Sequence, residues 1–168
     1  LRHAVRAALA QDYPGEVQVL VVYDQTEIDP LVDIDVPPRR SLTVHVNRRT
    51  AGLAGSRNTG VLAASGTYIA FCDDDDAWER QKLTLQMAAW RMNPSAVAIA
   101  TGIRIMSEAA VTVRLPPIST GFGDLLKSRV SAIHPSSLVY RRSDLLGTIG
   151  LVDETLPSSY GEDYDLLL

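Results

Sequence analysis

The 168-residue sequence has one cysteine, no broad basic surface and no apolar run approaching the length of a membrane span. The single Cys72 excludes an internal disulfide. It lies inside an apolar run and reads as a small buried residue, which fits a reducing compartment. A bilayer needs about 20 consecutive apolar residues, so a membrane helix is excluded. The polar first dozen residues lack the apolar core of a signal peptide. The net charge is −4, and the tight cationic pairs Arg39-Arg40, Arg48-Arg49 and Arg141-Arg142 are scattered, which argues against nucleic acid. Internal repeats and low-complexity segments are also missing. What remains is 46% hydrophobic and 21% charged, an ordinary composition for one domain with a real core.

The densest feature is Asp73-Asp74-Asp75-Asp76, directly after the apolar run Tyr68-Ile69-Ala70-Phe71-Cys72. Neighbouring carboxylates repel by about 1 kcal/mol or more at surface-like dielectric, so four at a strand end call for a cation. In an extended segment Asp73 and Asp75 project to one side, so an Asp-x-Asp pair can aim two oxygens at one site. Hard oxygen ligands suit Mg²⁺ or Mn²⁺, and Mg²⁺ commonly completes its shell with phosphate oxygens. The pattern alone leaves two readings open, a metal-bridged nucleotide site and a solvated acidic turn.

Hydrophobic periodicity orders the chain around this block. Leu1, Val5, Ala8 and Leu9 predict an opening helix stopped by Tyr13-Pro14-Gly15. Val17 to Tyr23 and Leu42 to Val46 predict strands, and Gly52 to Ala64 predicts a helix. Trp78, Leu83, Met87 and Trp90 predict a long helix ending at Asn93-Pro94, with Trp78 in the core at its start. Ala96 to Met106, Val111 to Leu115 and Ser137 to Tyr140 read as strands. Phe122 to Val130 and Ser143 to Ile149 read as helices, the latter capped by Gly150. Alternating strands and helices predict an α/β fold with a mostly parallel sheet covered on both faces. Ligands bind such sheets beyond the strands' carboxyl ends, where the aspartates fall.

Asn47, the run Gly52-Leu53-Ala54-Gly55-Ser56-Arg57-Asn58-Thr59-Gly60, the segment Ser65 to Phe71, the aspartates with Ala77-Trp78, and Lys82-Leu83 together resemble the family 2 glycosyltransferases of the GT-A fold. Gly150-Leu151-Val152-Asp153-Glu154 and Gly161-Glu162-Asp163-Tyr164-Asp165-Leu166 resemble the segment carrying that family's Glu-Asp motif. The ordered set is far more specific than a lone Asp-x-Asp.

The resemblance implies transfer of a sugar from a nucleotide-diphosphate donor (a UDP-, GDP- or dTDP-sugar) to an acceptor hydroxyl, with inversion. It implies a divalent metal, Mn²⁺ or Mg²⁺, on Asp75, with Asp73 facing the nucleotide ribose. Asp74 occupies the motif's variable position, and Asp76 supports the metal shell or caps the Trp78 helix. Asp163 becomes the general base, and Glu162 orients the acceptor or the loop. Tyr160-Gly161 gives a flexible entry to the helix that begins near Glu162. Arg57 and Asn58 occupy an Arg-Asn position beside the diphosphate, with a structural role for Asn58 equally open. His134, ahead of a strand on the acceptor side, is a candidate substrate contact.

Tyr23 departs from the family's usual acid at the end of its second strand, leaving Asp24 as the candidate for base recognition. The family's first strand belongs before the opening helix, so the resemblance makes the chain the central part of a longer enzyme, with unpaired strand edges and an incomplete base pocket. Residues 1–95 would form the nucleotide-sugar half and residues 96–168 the acceptor half of one truncated catalytic domain. Glycan, lipid-linked or protein acceptors all fit the resemblance. The expected location is cytoplasmic, with the inner face of the membrane open to the full-length protein through segments outside this sequence.

Three alternatives compete. The intact Asp73, Asp75 and Asp163 argue against a nucleotide-sugar-binding module that has lost catalysis, and truncation keeps that reading open. A Mg²⁺-dependent phosphatase shares only the Asp-x-Asp and leaves the Glu-Asp segment unexplained. A calcium loop counted from Asp73 would need glycine and glutamate where Trp78 and Thr84 stand.

Overall fold

The computed structural model describes residues 1–157 and 161–168; Tyr160 lies outside the described residues. Helix α1 (Arg2–Leu9) packs Val5 and Leu9 against Val21 and Tyr23 of strand β1 (Val17–Tyr23), and Leu31 and Ile34 close this cluster. Strand β2 (Arg40–Val46) pairs with β1 in parallel, Val17 opposite Arg40 and Tyr23 opposite Val46. Helix α2 (Leu53–Ala63), strand β3 (Tyr68–Ala70), helix α3 (Lys82–Met92) and strand β4 (Ala98–Ala100) follow. After the hairpin β5 (Ile103–Met106) and β6 (Val111–Arg114) come helix α4 (Phe122–Leu125), strand β7 (Leu138–Arg141), helix α5 (Arg142–Leu146) and helix α6 (Glu162–Asp165).

Strand β7 lies between β3 and β4 and runs antiparallel to both, so those two are parallel to each other. Its alternation shows how the sheet is covered. Leu138 and Tyr140 join Ala54 and Val61 of α2 and Leu145 of α5, whereas Val139 faces Leu83, Met87 and Trp90 of α3. Successive strand residues point to opposite faces, so helices cover both sides, as an α/β fold requires. Complete burial of a side chain such as Val139 stabilises by roughly 1.5–3 kcal/mol.

Several boundaries differ from expectation, each for a long-range reason. Helix α3 starts at Lys82 and leaves Trp78 outside it. The side chain of Gln11 donates to the Glu79 carbonyl at 2.9 Å and accepts from the Leu83 N–H at 3.0 Å, while the Asp12 N–H takes the Arg80 carbonyl at 3.0 Å. Carbonyls that would extend the helix are thereby bound to the segment that follows α1, and Asp76 caps no helix. Helix α4 stops at Leu125 rather than running to Val130, because the Tyr164 hydroxyl donates to the Leu125 carbonyl that an extra turn would use. The strand expected over residues 96–106 divides at Thr101-Gly102. The Thr101 N–H bonds the Ser137 carbonyl at 3.0 Å as β4 ends, and the chain leaves the sheet to form the separate hairpin. Helix α5 begins at Arg142 and ends before Gly147, so Gly150, at φ 95°, serves a later turn.

β1 bonds to β2 alone and β3 to β7 alone among the described residues. Between them lies a cavity of 1080 Å³, with an apolar body from residues such as Val5, Val19, Val21, Ile69 and Phe71.

Candidate active site

The site forms where β3 ends. The Asp76 N–H bonds the Asp73 carbonyl at 3.1 Å, which turns the aspartate block back on itself, and the Asp73 N–H donates to Ser136 Oγ at 3.0 Å. The turn leaves Asp73 and Asp76 half-buried, with Asp74 and Asp75 exposed. Asp24, Arg57, Asp73 and Asp74, four of the residues expected to hold the nucleotide sugar, are all among those lining the 1080 Å³ cavity.

Helix α2 supplies the cation. Its entry is set by Gly52, whose φ of 115° and ψ of −176° are essentially open to glycine alone. Asp24 fixes this entry by accepting from the Gly52 N–H at 2.7 Å and from Asn47 Nδ2 at 2.9 Å. A methyl group on Gly55 would meet the Thr50 carbonyl oxygen at 1.9 Å, so the helix can approach the loop only with glycine there. From this helix Arg57 donates to Asp73 Oδ1 at 3.1 Å and to Glu162 Oε1 at 2.6 Å. The Arg57 and Glu162 side chains are only 8% and 6% exposed, so both charges are removed from water and depend on each other.

Asn58, the next residue, points elsewhere. Its amide donates to the Val152 carbonyl at 2.8 Å and to Glu154 Oε1 at 2.7 Å, and its oxygen accepts from the Val152 N–H at 2.9 Å. It lies outside the cavity lining and ties α2 to the segment leading to α6. Partial burial alone would raise the Glu154 carboxyl, but hydrogen bonds from Asn58, Arg49 and Thr50 outweigh it and pull the group down to about 2.

On the far side His134 stands with Nδ1 3.5 Å from Asp76 Oδ2 and Nε2 3.9 Å from Asp73 Oδ2. Ligand atoms of Asp73, Asp76 and His134 all lie within 4.8 Å of one another. Two carboxylates and an imidazole are a donor set that fits a divalent first-row ion such as Mn²⁺. Asp75, the expected metal ligand, does not join this group.

Asp163 sits on the first turn of α6, whose N-cap is Gly161 in the left-handed conformation at φ 86°. An acidic residue there is favoured by the helix dipole. Its Oδ2 accepts an ion-pair hydrogen bond from Arg129, while Oδ1 has no partner among the described residues. Arg129 and Ser136 were not legible as site residues. Ser136 carries no sequence signal beyond its place near His134, and Arg129 falls on a stretch whose periodicity reads as helix.

Burial shifts two groups near the block. Partial burial pushes the Cys72 thiol up to about 12, which keeps it protonated at neutral pH. Burial also pulls Lys82 down to about 7; its Nζ donates to Gln86 Oε1 at 2.8 Å and lies 4.2 Å from the centroid of the Trp78 ring.

With this geometry in view, similarity to known proteins becomes informative. The profile of glycosyl transferase family 2 matches residues 1–146. A β-1,3-glucosyltransferase of Escherichia coli, WfaP, named for transfer from UDP-Glc to α-D-GlcNAc-diphosphoundecaprenol, is 33% identical over 84 residues, covering 49% of this chain and 33% of its own. WfgD of Escherichia coli, named for the same transfer, is 45% identical over 47 residues, covering 28% and 19%. TuaG of Bacillus subtilis, named for teichuronic acid biosynthesis, is 27% identical over 137 residues, covering 77% and 53%. The chain thus spans from about a fifth to about half of these relatives. The crystal structure of S. aureus TarS 1-349 superimposes with a TM-score of 0.67 at 21% identity, over 97% of this chain and 48% of that one, which shows a shared fold. The match over residues 1–146 and the acidic centre at the end of β3 lead to one conclusion: the chain belongs to glycosyl transferase family 2.

Proposed function

We propose that this chain carries the donor and base centre of an inverting glycosyltransferase, which moves a sugar from a nucleotide diphosphate to the hydroxyl of a lipid-linked acceptor. The observation that carries the reading is the buried Arg57, which bonds Asp73 after β3 and Glu162 at the start of α6 at once. It joins the two acidic motifs into one centre, and Asp163 is the sequence neighbour of Glu162.

In this reading Asp24, Arg57, Asp73 and Asp74 receive the nucleotide end of the donor at the mouth of the cavity. Asp73, Asp76 and His134 would hold the divalent cation, with Asp75, which lies outside their cluster, as the further ligand that the resemblance implies. A bound ion would supply Lewis-acid stabilisation of negative charge on a diphosphate. Asp163 takes the acceptor proton on Oδ1 while Arg129 holds Oδ2, so the carboxylate is aimed without losing its free oxygen. Inversion follows because one oxygen attacks opposite the leaving diphosphate in a single displacement. Glu162 and Asn58 act through position: one fixes Arg57, the other fixes the segment before α6. The acceptor class is supported by the two Escherichia coli relatives, whose names specify a diphosphoundecaprenol-linked sugar. Among the described residues no helix is long and apolar enough to cross a membrane.

The test is a thermal-shift panel of UDP, GDP, CDP and dTDP on the full-length protein, with and without Mn²⁺. One nucleotide should raise the melting temperature only with metal present, by the equivalent of about 2.7 kcal/mol at a hundredfold excess over Kd. No shift with any of the four would sink the donor-site reading.

A further inference from the structure

The Arg57 guanidinium is shared by two carboxylates on unequal terms. Glu162 Oε1 lies 2.6 Å from Nη1, and the Glu162 side chain is as dry as that of Arg57. Asp73 Oδ1 lies 3.1 Å from Nη2, with 27% of the Asp73 side chain in water. Solvent and salt screen the second pair far more than the first, so Glu162 is the fixed partner and Asp73 the releasable one. The Phe71 ring, its centroid 5.7 Å from the guanidinium carbon, is a third hold on Arg57 that does not depend on Asp73.

The two oxygens of Asp73 face different neighbours. Oδ1 accepts from Arg57, whereas Oδ2 lies 3.9 Å from His134 Nε2, in the cluster that Asp73 and His134 form with Asp76. A divalent ion in that cluster has to share the Asp73 carboxylate with a guanidinium, and two cations on one carboxylate repel unless a second anion answers one of them. Glu162 is the other carboxylate bonded to Arg57 among the described residues. Without its charge, Arg57 falls to Asp73 alone and stands as an uncompensated buried cation beside the cluster. The anion that prevents this sits on the first turn of α6, one position before Asp163.

We propose that Glu162 is a positioning residue of the cation site: by holding Arg57 it frees Asp73 for the metal, and a metal on Asp73 in turn passes Arg57 to Glu162 and seats the helix that carries Asp163. The two effects are one coupling free energy read from two ends, so they are reciprocal. The inference rests on the cation cluster of the reading above.

The experiment is a Mn²⁺ titration of the full-length protein without nucleotide, followed by electron paramagnetic resonance of the free ion. It compares the parent, Glu162→Gln, and the double variant Arg57→Met with Glu162→Leu. Glutamine keeps an oxygen for Arg57 and removes only the charge, so Glu162→Gln should raise the dissociation constant for Mn²⁺ about tenfold. The double variant removes the buried cation together with its partner, so it should bind Mn²⁺ as tightly as the parent or more tightly. A purely structural Glu162 gives the reverse order, with the double variant the weaker of the two. Hydrogen exchange gives a readout that needs no variant: Mn²⁺ should slow it in the parent at the α6 amides of Tyr164, Asp165 and Leu166, which bond back to Gly161 and Glu162. An unchanged dissociation constant in Glu162→Gln, a double variant weaker than the single one, or α6 exchange indifferent to Mn²⁺ would overturn the proposal. A parent that binds no Mn²⁺ would overturn it together with the cation cluster, whereas Mn²⁺ binding that ignores Glu162 would overturn this inference alone.

Discussion

Arg57 reaches Glu162 at 2.6 Å across 105 positions of sequence, and neither side chain has more than a tenth of its surface in water. The same guanidinium holds Asp73 at 3.1 Å. One buried cation therefore organises two acidic segments that would otherwise repel.

This arrangement predicts an asymmetric response to substitution. Arg57→Met leaves the Glu162 carboxylate buried and unpaired, and it should destabilise by about 3–5 kcal/mol in chemical denaturation. Adding Glu162→Leu should recover much of the loss, because the stranded charge is gone. An unchanged denaturation midpoint for Arg57→Met would contradict the burial.

Glu154 sets an acid limit. Its carboxyl drops from an ordinary 4.5 to about 2 in the folded chain, so the folded state binds fewer protons than the unfolded state between those values. Its contribution is full above 4.5 and is lost as pH falls toward 2. Glu154→Gln should therefore melt earlier than the parent at neutral pH, and the gap should close on acidification. A gap that stays constant with pH would rule this account out.

Lys82 acts in the neutral to alkaline range, where stability again rises with pH, here because a buried charge is relieved. Burial lowers it from 10.5 to about 7, so between these values the unfolded state holds the extra proton and stability rises with pH. Below 7 the burial of the charge is a full penalty. Lys82→Met should flatten this rise in melting temperature, at the cost of leaving Gln86 Oε1 without its donor. A rise of equal size in the variant would assign it to another group.

The sequence disclosed what local pattern encodes and missed what distant contacts decide. The aspartates at the end of β3, helix α2 with its Arg-Asn pair, and the acids opening α6 could all be placed from residue order alone. Helix α3 could not be bounded, because Gln11 and Asp12, some 70 positions away, hold the Glu79 and Arg80 carbonyls. The same holds for the cation cluster. An Asp-x-Asp pattern points to Asp75, whereas the turn that folds Asp76 back toward Asp73 depends on a tight local bond, and His134 joins from another part of the chain. Arg129 carried no signal, since its partnership with Asp163 exists only after Tyr164 halts α4 at Leu125. Asn58 was legible as a residue but not as a link, because its partners lie 94 and 96 positions away.

The central claim is that Asp163 accepts the acceptor's proton while the centre around Asp73 holds the donor. Its most direct test is Asp163→Asn in the full-length protein, with sugar transfer and Mn²⁺-dependent nucleotide binding measured side by side. Transfer should fall by about 10²–10⁴-fold with nucleotide affinity unchanged, since asparagine fills the same space but cannot take a proton. Transfer at the parent rate with Asp163 replaced would contradict the account.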